Sequence, residues 1–413
     1  MAKREPPTGP LAGLKVIELC HIMAGPACGV MLADMGADVV KVEKVPGGDD
    51  TRRFTPPKIG EESAAFLMMN RNKRGIAVDL KSEDGKAVLR RLLRDADVVT
   101  ENYRRGVMDE MGLSYETLHR ENPRLVYCSI SGFGRTGPYA DRAGFDLVAQ
   151  GMSGLMSITG EGPGRPPVKV GAPVTDITAG ILGAMGILAA LLNRARTGEG
   201  QMVDTSLYEA GIVQTYWQSA IALATGIAPG PMGSAHPLNA PYEAFETQDG
   251  WITVGAANQA NWLRLVDMLG VRHLADDAKF ATNADRIRNR VELARALAPY
   301  FRKRGSAEWL AELERAQVPA GPVLDILEMH ADAQTIARGM VAETEHSRLG
   351  RVKTIGHPVK FSATPANLRR GAPVYGEHTR EVLRECGFSD GEIERMAKAG
   401  AIVVADGKAA AAE

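Results

Sequence analysis

Between Leu14 and Glu43, two short runs of β-branched and apolar residues flank a stretch with helical spacing, an arrangement that few folds accommodate. Leu14-Lys15-Val16-Ile17-Glu18-Leu19 reads as a buried strand and Val39-Val40-Lys41-Val42-Glu43 as a second. His21 to Pro26 reads as a turn, and Ala27 to Met35 as a helix that ends at Gly36. Such a βαβ unit implies a parallel sheet with helices on its faces. The pattern continues with a helix from Glu83 to Arg94, a strand from Asp97 to Thr100, a helix near Val107 and a strand from Leu125 to Ile130. The expected fold class is α/β, a doubly wound, Rossmann-like parallel sheet. No G-x-G-x-x-G follows the first strand, and Gly132-Phe133-Gly134 after a later one does not complete it, so the usual dinucleotide fingerprint is missing.

With 413 residues the chain exceeds one ordinary domain. A formal net charge of -1 gives bulk electrostatics no means to recruit nucleic acid or an anionic membrane. Cys20, Cys28, Cys128 and Cys386 form no C-x-x-C pair and no Cys/His cluster of zinc spacing, which points to reduced thiols and no metal site. The start, Met1 to Pro7, is polar and lacks a signal-peptide core. The longest apolar run, Ala179 to Leu192, is only about 14 residues against the ~20 a bilayer span needs. A cytoplasmic protein is expected.

The helix after Asp176 carries Gly180, Gly183 and Gly186 at three-residue spacing, which suggests very close backbone packing. Composition shifts to Gly, Pro and small residues over Ala222 to Leu238. Beyond it, Tyr242–Thr247 and Trp251–Gly255 flank Gln248-Asp249-Gly250, a hairpin signal. Amphipathic helices at Asn261–Leu269, Ile287–Lys303 and Ala307–Gln317 complete a smaller α+β domain. Val352–Phe361 reads as extended, followed by helices at Glu377–Cys386 and Asp390–Ala399 and a disordered tail at 407–413. The expected division is a large domain from 1–210 and 331–413, a small one from 225–325, and linkers at 211–224 and 326–330.

Four groups of residues could carry chemistry. Asp176, in Val174-Thr175-Asp176-Ile177, stands between a Gly/Pro-rich extended run and the long apolar helix. It reads either as a helix cap or as an exposed carboxylate nucleophile with amides around it, and spacing does not separate the two. His21 to Ala27 lies at the end of the first strand, where open α/β sheets bind ligands and helix starts favour anions; the alternative is a plain connection in which His21 packs. Arg71, Lys73, Arg74 and Lys81, with Lys44, are either an anion site or a solvated charged face. Asn102-Tyr103-Arg104-Arg105 closes another strand with an aromatic ring beside two guanidinium groups, which suits an adenine ring and phosphates.

Taken together, these segments resemble the class III CoA-transferase family, also called CaiB/BaiF. The matching residues run in order from Leu14–Leu19, Ala24-Gly25-Pro26 and Gly36–Glu43 through Asn72-Lys73-Arg74, Glu101-Asn102-Tyr103, Gly134–Pro138 and Val174-Thr175-Asp176. They continue at Gly198–Gln201, Val318–Val323 and Gly376–Thr379. The resemblance implies a transferase that moves CoA from an acyl-CoA donor to a free carboxylic acid, with Asp176 as nucleophile. It implies mixed-anhydride and aspartyl-CoA intermediates, acyl-CoA as substrate and no tightly bound cofactor. It places CoA-binding positions on His21, Met23, Ala24, Lys44, Val78, Lys81, Asn102, Tyr103, Arg104, Ala143 and Asp146. Met23, Glu110 and Ala143 stand where formyl-CoA transferase has glutamine, arginine and lysine, which speaks against formate and oxalate; Arg104 and Arg105 could supply the missing cations. The related α-methylacyl-CoA racemase carries a histidine before the aspartate matching Asp146. Phe145 stands there and cannot carry a proton, which disfavours an isomerase. A non-catalytic CoA-binding protein is the third reading. Met232–Pro237 with Pro241-Tyr242 is similar to succinyl-CoA:glutarate transferases, which implies a small dicarboxylic or hydroxy acid as acceptor, with His236 and Phe145 near it. The resemblance also implies a homodimer of interlocked, ring-like chains.

Overall fold

β1 (Lys15–Leu19), α1 (Ala24–Asp34) and β2 (Asp38–Lys44) form the expected βαβ unit in the computed structural model, which describes residues 8–405. The polar start at 1–7 and the tail at 407–413 lie outside the described residues. α1 begins at Ala24, three residues before the helix read from spacing. Pro26 was counted with the turn, but in a first helical turn its missing N–H has no partner to lose.

The sheet continues with β3 (Arg74–Val78), β4 (Val98–Glu101), β5 (Val126–Ser131) and β6 (Met202–Ser206), and ends at β7 (Ile402–Val403). Its order is β7-β3-β2-β1-β4-β5-β6, parallel except for β7, which runs antiparallel to β3. Successive β1 residues serve opposite faces, as a pleated strand requires. Ile17 and Leu19 pack with Val40, Val42 and Leu89 of α2 (Glu83–Arg94), under the helices Thr379–Glu385 and Asp390–Lys398. Val16 packs with Val39, Val98 and Cys28 on the other face, beneath α1 and α4 (Val174–Thr197).

The glycines of α4 do what their spacing suggested. A Cβ on Gly180 would lie 2.6 Å from the Ala24 carbonyl oxygen, and one on Gly183 would lie 2.8 Å from Ile130 Cδ1. Only bare backbone lets α4 sit that close to α1 and β5. α4 is also longer than its apolar core: it has 24 residues and contains an 18-residue window with a mean hydropathy of 1.8, long and apolar enough to cross a membrane, contrary to the short-run argument. Its buried residues nonetheless include Thr175 and Arg194, with Arg194 ion-paired to Asp97 at 2.8 Å.

The chain divides into two compact units. The first comprises 8–153, 171–213 and 333–405, and the second 154–170 and 214–332. The stretch 211–224, read as a linker, is mostly helical, spanning the end of α5 (Leu207–Val213) and most of a helix at Tyr216–Thr225. The second unit has an antiparallel sheet of Tyr242–Glu246, Trp251–Gly255 and Ala320–Pro322. Its core holds Trp262, Phe245, Phe301 and Leu297. The single helix read over Ile287–Lys303 is two, Asn283–Arg288 and Arg290–Phe301, broken at Asn289.

One buried cluster ties β1, β2 and β3 together. Glu18, Lys41, Asp49 and Lys73 are all fully buried. Glu18 pairs with Lys41 at 3.1 Å and with Lys73 at 2.8 Å, and Lys41 also pairs with Asp49 at 2.8 Å. Lys73 further donates to Pro26 O and Asn70 Oδ1, each at 3.0 Å. Arg71 meets Asp34, and Arg74 meets Asp38, Glu381 and Glu385. Both readings of the basic group therefore fail for Arg71, Lys73 and Arg74: they are neither solvated nor open to an anion. Burial lowers the Lys73 pKa even with Glu18 beside it. Glu18→Gln keeps the volume but leaves two buried ammonium groups short of charge. It should cost about 3–5 kcal/mol of unfolding free energy in a urea titration.

Candidate active site

The strand order reverses between β1 and β4, and in an open α/β sheet the crevice outside the carboxyl ends at such a point receives ligands. The chain leaving β1 turns there through Ile22 at φ 67, a left-handed conformation that costs a β-branched residue about 1–3 kcal/mol. Surrounding groups hold it. Lys41 Nζ donates to Cys20 O at 2.8 Å, and Asp49 Oδ1 accepts the Ile22 N–H at 3.2 Å. Asn102, just past β4, brackets the turn from the other side: its Oδ1 accepts the His21 N–H at 2.9 Å and its Nδ2 donates to His21 O at 2.8 Å. Burial alone would raise the Asp49 carboxyl, but Lys41 and the Thr51 hydrogen bonds outweigh it and hold it far below the usual range. Burial, then Lys41, lowers the His21 pKa, so its ring is neutral near pH 7.

On the far side of the crevice, Gly132 and Gly144 pass back to back. A Cβ on either would fall 2.7 or 2.5 Å from the other's Cα. This contact draws 140–145 over the end of β5 and sets Phe145 just before α3 (Asp146–Met152). The result is a cleft of about 230 Å³. His21, Met23, Ala24, Asn102, Tyr103, Arg104, Ala143, Phe145 and Asp176 all line it. The His21 and Tyr103 rings face each other at 5.6 Å, and Phe145 is 65% exposed.

Lys44, Val78, Lys81 and Asp146 are not among the lining residues. Lys44 pairs with Asp50 at 2.7 Å, Lys81 is exposed, and the Val78 side chain is fully buried in the core. His236 belongs to the second unit, where its Nδ1 accepts the Leu238 N–H at 3.0 Å and its ring lies 5.1 Å from Tyr242. Gly132, Gln150 and Arg142 escaped sequence reasoning, because their roles depend on contacts between segments rather than on spacing.

Asp176 is the third residue of α4, and its side chain caps nothing. The cap comes from 29 residues away: Asp146 Oδ1 accepts the Thr175 N–H at 3.0 Å and the Thr175 hydroxyl at 2.7 Å. The second Asp146 oxygen accepts from Gln150 Nε2 at 2.7 Å. With that role filled, the Asp176 carboxylate has no hydrogen bond or ion pair among the described residues. Burial, then the Asp146 charge, pushes its pKa up to about 7. A perturbed carboxylate in a cleft is a candidate functional group. α1 has no side-chain cap either, and Met23 and Ala24 at its start line the same cleft, so an uncapped helix start opens onto it.

The sequence profile of CoA-transferase family III matches residues 11–379. The chain belongs to that family. It is 44% identical over 391 residues to the succinate–glutarate CoA-transferase of Agrobacterium fabrum, covering 93% of this chain and 97% of that protein. It is 39% identical over 383 residues to the acetyl-CoA:oxalate CoA-transferase of Acetobacter aceti, covering 92% and 96%. The crystal structure of a CAIB/BAIF family protein from Brucella suis superposes with a TM-score of 0.81 at 42% identity, over 92% of this chain and all of that one. The protein is a CoA-transferase.

In this CoA-transferase the ionised Asp176 costs stability. Its pKa rises from 3.8 to about 7, so the folded protein holds a proton that the unfolded chain releases. The cost is absent below pH 4, builds as pH rises, and is complete above pH 7. Asp176→Asn should therefore unfold at the parent's urea midpoint near pH 4 and be more stable by on the order of 2–4 kcal/mol at pH 8.

Proposed function

We propose that Asp176 carries acyl exchange between a CoA thioester and a small dicarboxylic acid. The observation that supports it is a half-buried carboxylate at the switch-point cleft, relieved of capping by Asp146. An Asp176 oxygen attacks the thioester carbonyl carbon; the C–S bond breaks, and CoA leaves as thiolate from a mixed anhydride. The thiolate then attacks the Asp176 carbonyl, releasing the donor's carboxylate and leaving an aspartyl-CoA thioester. The acceptor carboxylate opens that thioester, and the freed thiolate takes the acceptor's acyl group and restores Asp176. The overall exchange trades one thioester and one carboxylate for another of each, so the ends are similar in energy, and no proton is gained or lost. Amides at the starts of α1 and α4 serve the tetrahedral oxyanions. A site that excludes water also protects the anhydride.

Glutarate is the acceptor to try first, since the relative from Agrobacterium fabrum is named for it. The relative named for oxalate reduces the weight of the Met23, Glu110 and Ala143 departures against that acid. Phe145 in the cleft argues against the isomerase reading, which needs a proton carrier there. Buried, unpaired Cys20, Cys28 and Cys128 suit a reducing, cytoplasmic setting. Asp176→Ala should lose more than about 10³-fold in succinyl-CoA:glutarate exchange, with CoA affinity retained within about threefold. Hydroxylamine with succinyl-CoA should label Asp176 in the parent only. Unchanged turnover in Asp176→Ala sinks the mechanism.

We further infer a homodimer. Along α4 the side chains of Ile177, Ile181, Met185 and Leu192 are 37%, 44%, 60% and 69% exposed, an apolar stripe at helical spacing. Leu147, Val148 and Met152 on α3 extend it. Surfaces of this kind are normally covered. Interlocked chains would not separate without unfolding, so sedimentation equilibrium should find a dimer down to nanomolar concentration; a folded monomer there contradicts interlocking.

A further inference from the structure

Three guanidinium groups line the cleft, Arg104, Arg105 and Arg142, and they are not equivalent. Arg105 lies 3.6 Å from Asp141. Arg104 and Arg142 are exposed and have no carboxylate within ion-pair distance among the described residues. Arg142 is also held in place. Its Cζ sits 4.0 Å from the centre of the Tyr139 ring, and its N–H donates to Tyr139 O at 2.9 Å, closing a tight turn. Tyr139 packs edge-on against the buried Phe133 ring at 5.8 Å. A guanidinium stacked on an anchored ring loses little further freedom on binding and keeps its in-plane donors available. Paired donors of that geometry match phosphate oxygens.

Gly132 and Gly144 fix the segment on the other side of Arg142, so the residue is bracketed by a turn before it and a backbone crossing after it. Position 143, beside it, holds an alanine that brings no charge to the cleft. Asp141 and Asp176 are the acids that line the cleft with Arg142, and Asp141 faces Arg105 at 3.6 Å; outside the lining, Glu101 faces Arg135 at 3.6 Å, and Asp146 is engaged with Thr175 and Gln150. The acyl-CoA reading supplies the ligand: a thioester end that must reach Asp176, and a nucleotide end bearing a diphosphate and a 3′-phosphate.

We infer that Arg142, shelved on Tyr139 and working with Arg104, is the phosphate-reading cation for the nucleotide end of CoA. It acts on affinity for that end and not on chemistry at the thioester. The inference rests on the acyl-CoA reading of the cleft and adds to it which residue of this chain selects the phosphorylated ligand.

The test is calorimetric binding of CoA, 3′-dephospho-CoA and pantetheine to the full-length parent, Arg142→Ala and Arg142→Lys. Arg142→Ala should weaken CoA binding about 10- to 100-fold, leave pantetheine within twofold, and keep the parent's melting temperature. Arg142→Lys, which keeps the charge but loses the planar stack, should fall between. In turnover, Arg142→Ala should raise the KM for succinyl-CoA and leave kcat within about twofold. Equal weakening of CoA and pantetheine would make Arg142 a structural residue and overturn the inference. CoA affinity unchanged in Arg142→Ala, with exchange intact, would overturn it and spare the acyl-exchange reading. A parent that binds no CoA would remove both.

Discussion

Everything that matters in the cleft hangs on one buried set of charges. Glu18 shares its carboxylate between Lys41 and Lys73, and Lys41 passes the pairing on to Asp49. None of these groups sees solvent. Buried ion pairs of this kind contribute little net stability compared with packed hydrocarbon. What they contribute here is placement. The same Lys41 and Asp49 donate to Cys20 O and accept from Ile22 N, so the charge cluster holds the strained turn after β1. Asn102 then locks that turn to the end of β4 across the switch point. The start of α1 is thereby fixed at the mouth of the crevice.

A second division of labour concerns two carboxylates. Asp146 and Asp176 both stand by the start of α4, where backbone amides seek an acceptor. Asp146 satisfies Thr175 with one oxygen and is held by Gln150 with the other. Asp176 is left without donors, and its pKa rises toward neutrality. The same fold thus holds one acid in a hydrogen-bonded structural role and leaves another without donors, separated by their surroundings alone.

Much of the fold was legible along the chain. The alternation of strands and helices through β5 followed from β-branched runs and 3.6-residue spacing, because those patterns report burial locally. The α4 glycines announced close packing, and Gly180 against Ala24 is that packing. The errors have physical causes. Pro26 looked like a turn residue, yet it is tolerated in a first helical turn. Arg71, Lys73 and Arg74 looked like a charged surface, since composition does not reveal that Asp34, Glu18 and Asp38 meet them inside the molecule.

For Asp176 the sequence by itself determined the residue type, its place at the start of a long apolar helix and, through the family motifs, the kind of reaction to expect. Whether it capped that helix was not determined, because the competing acceptor lies 29 residues away and spacing reports only near neighbours. The tertiary structure decided it by bringing α3 against the first turn of α4. It also decided which cations reach the cleft: Lys44 and Lys81 fall outside it, and Arg142 enters through the Gly132–Gly144 crossing. Such placements follow from packing between segments distant in the chain, and a one-dimensional pattern does not encode them.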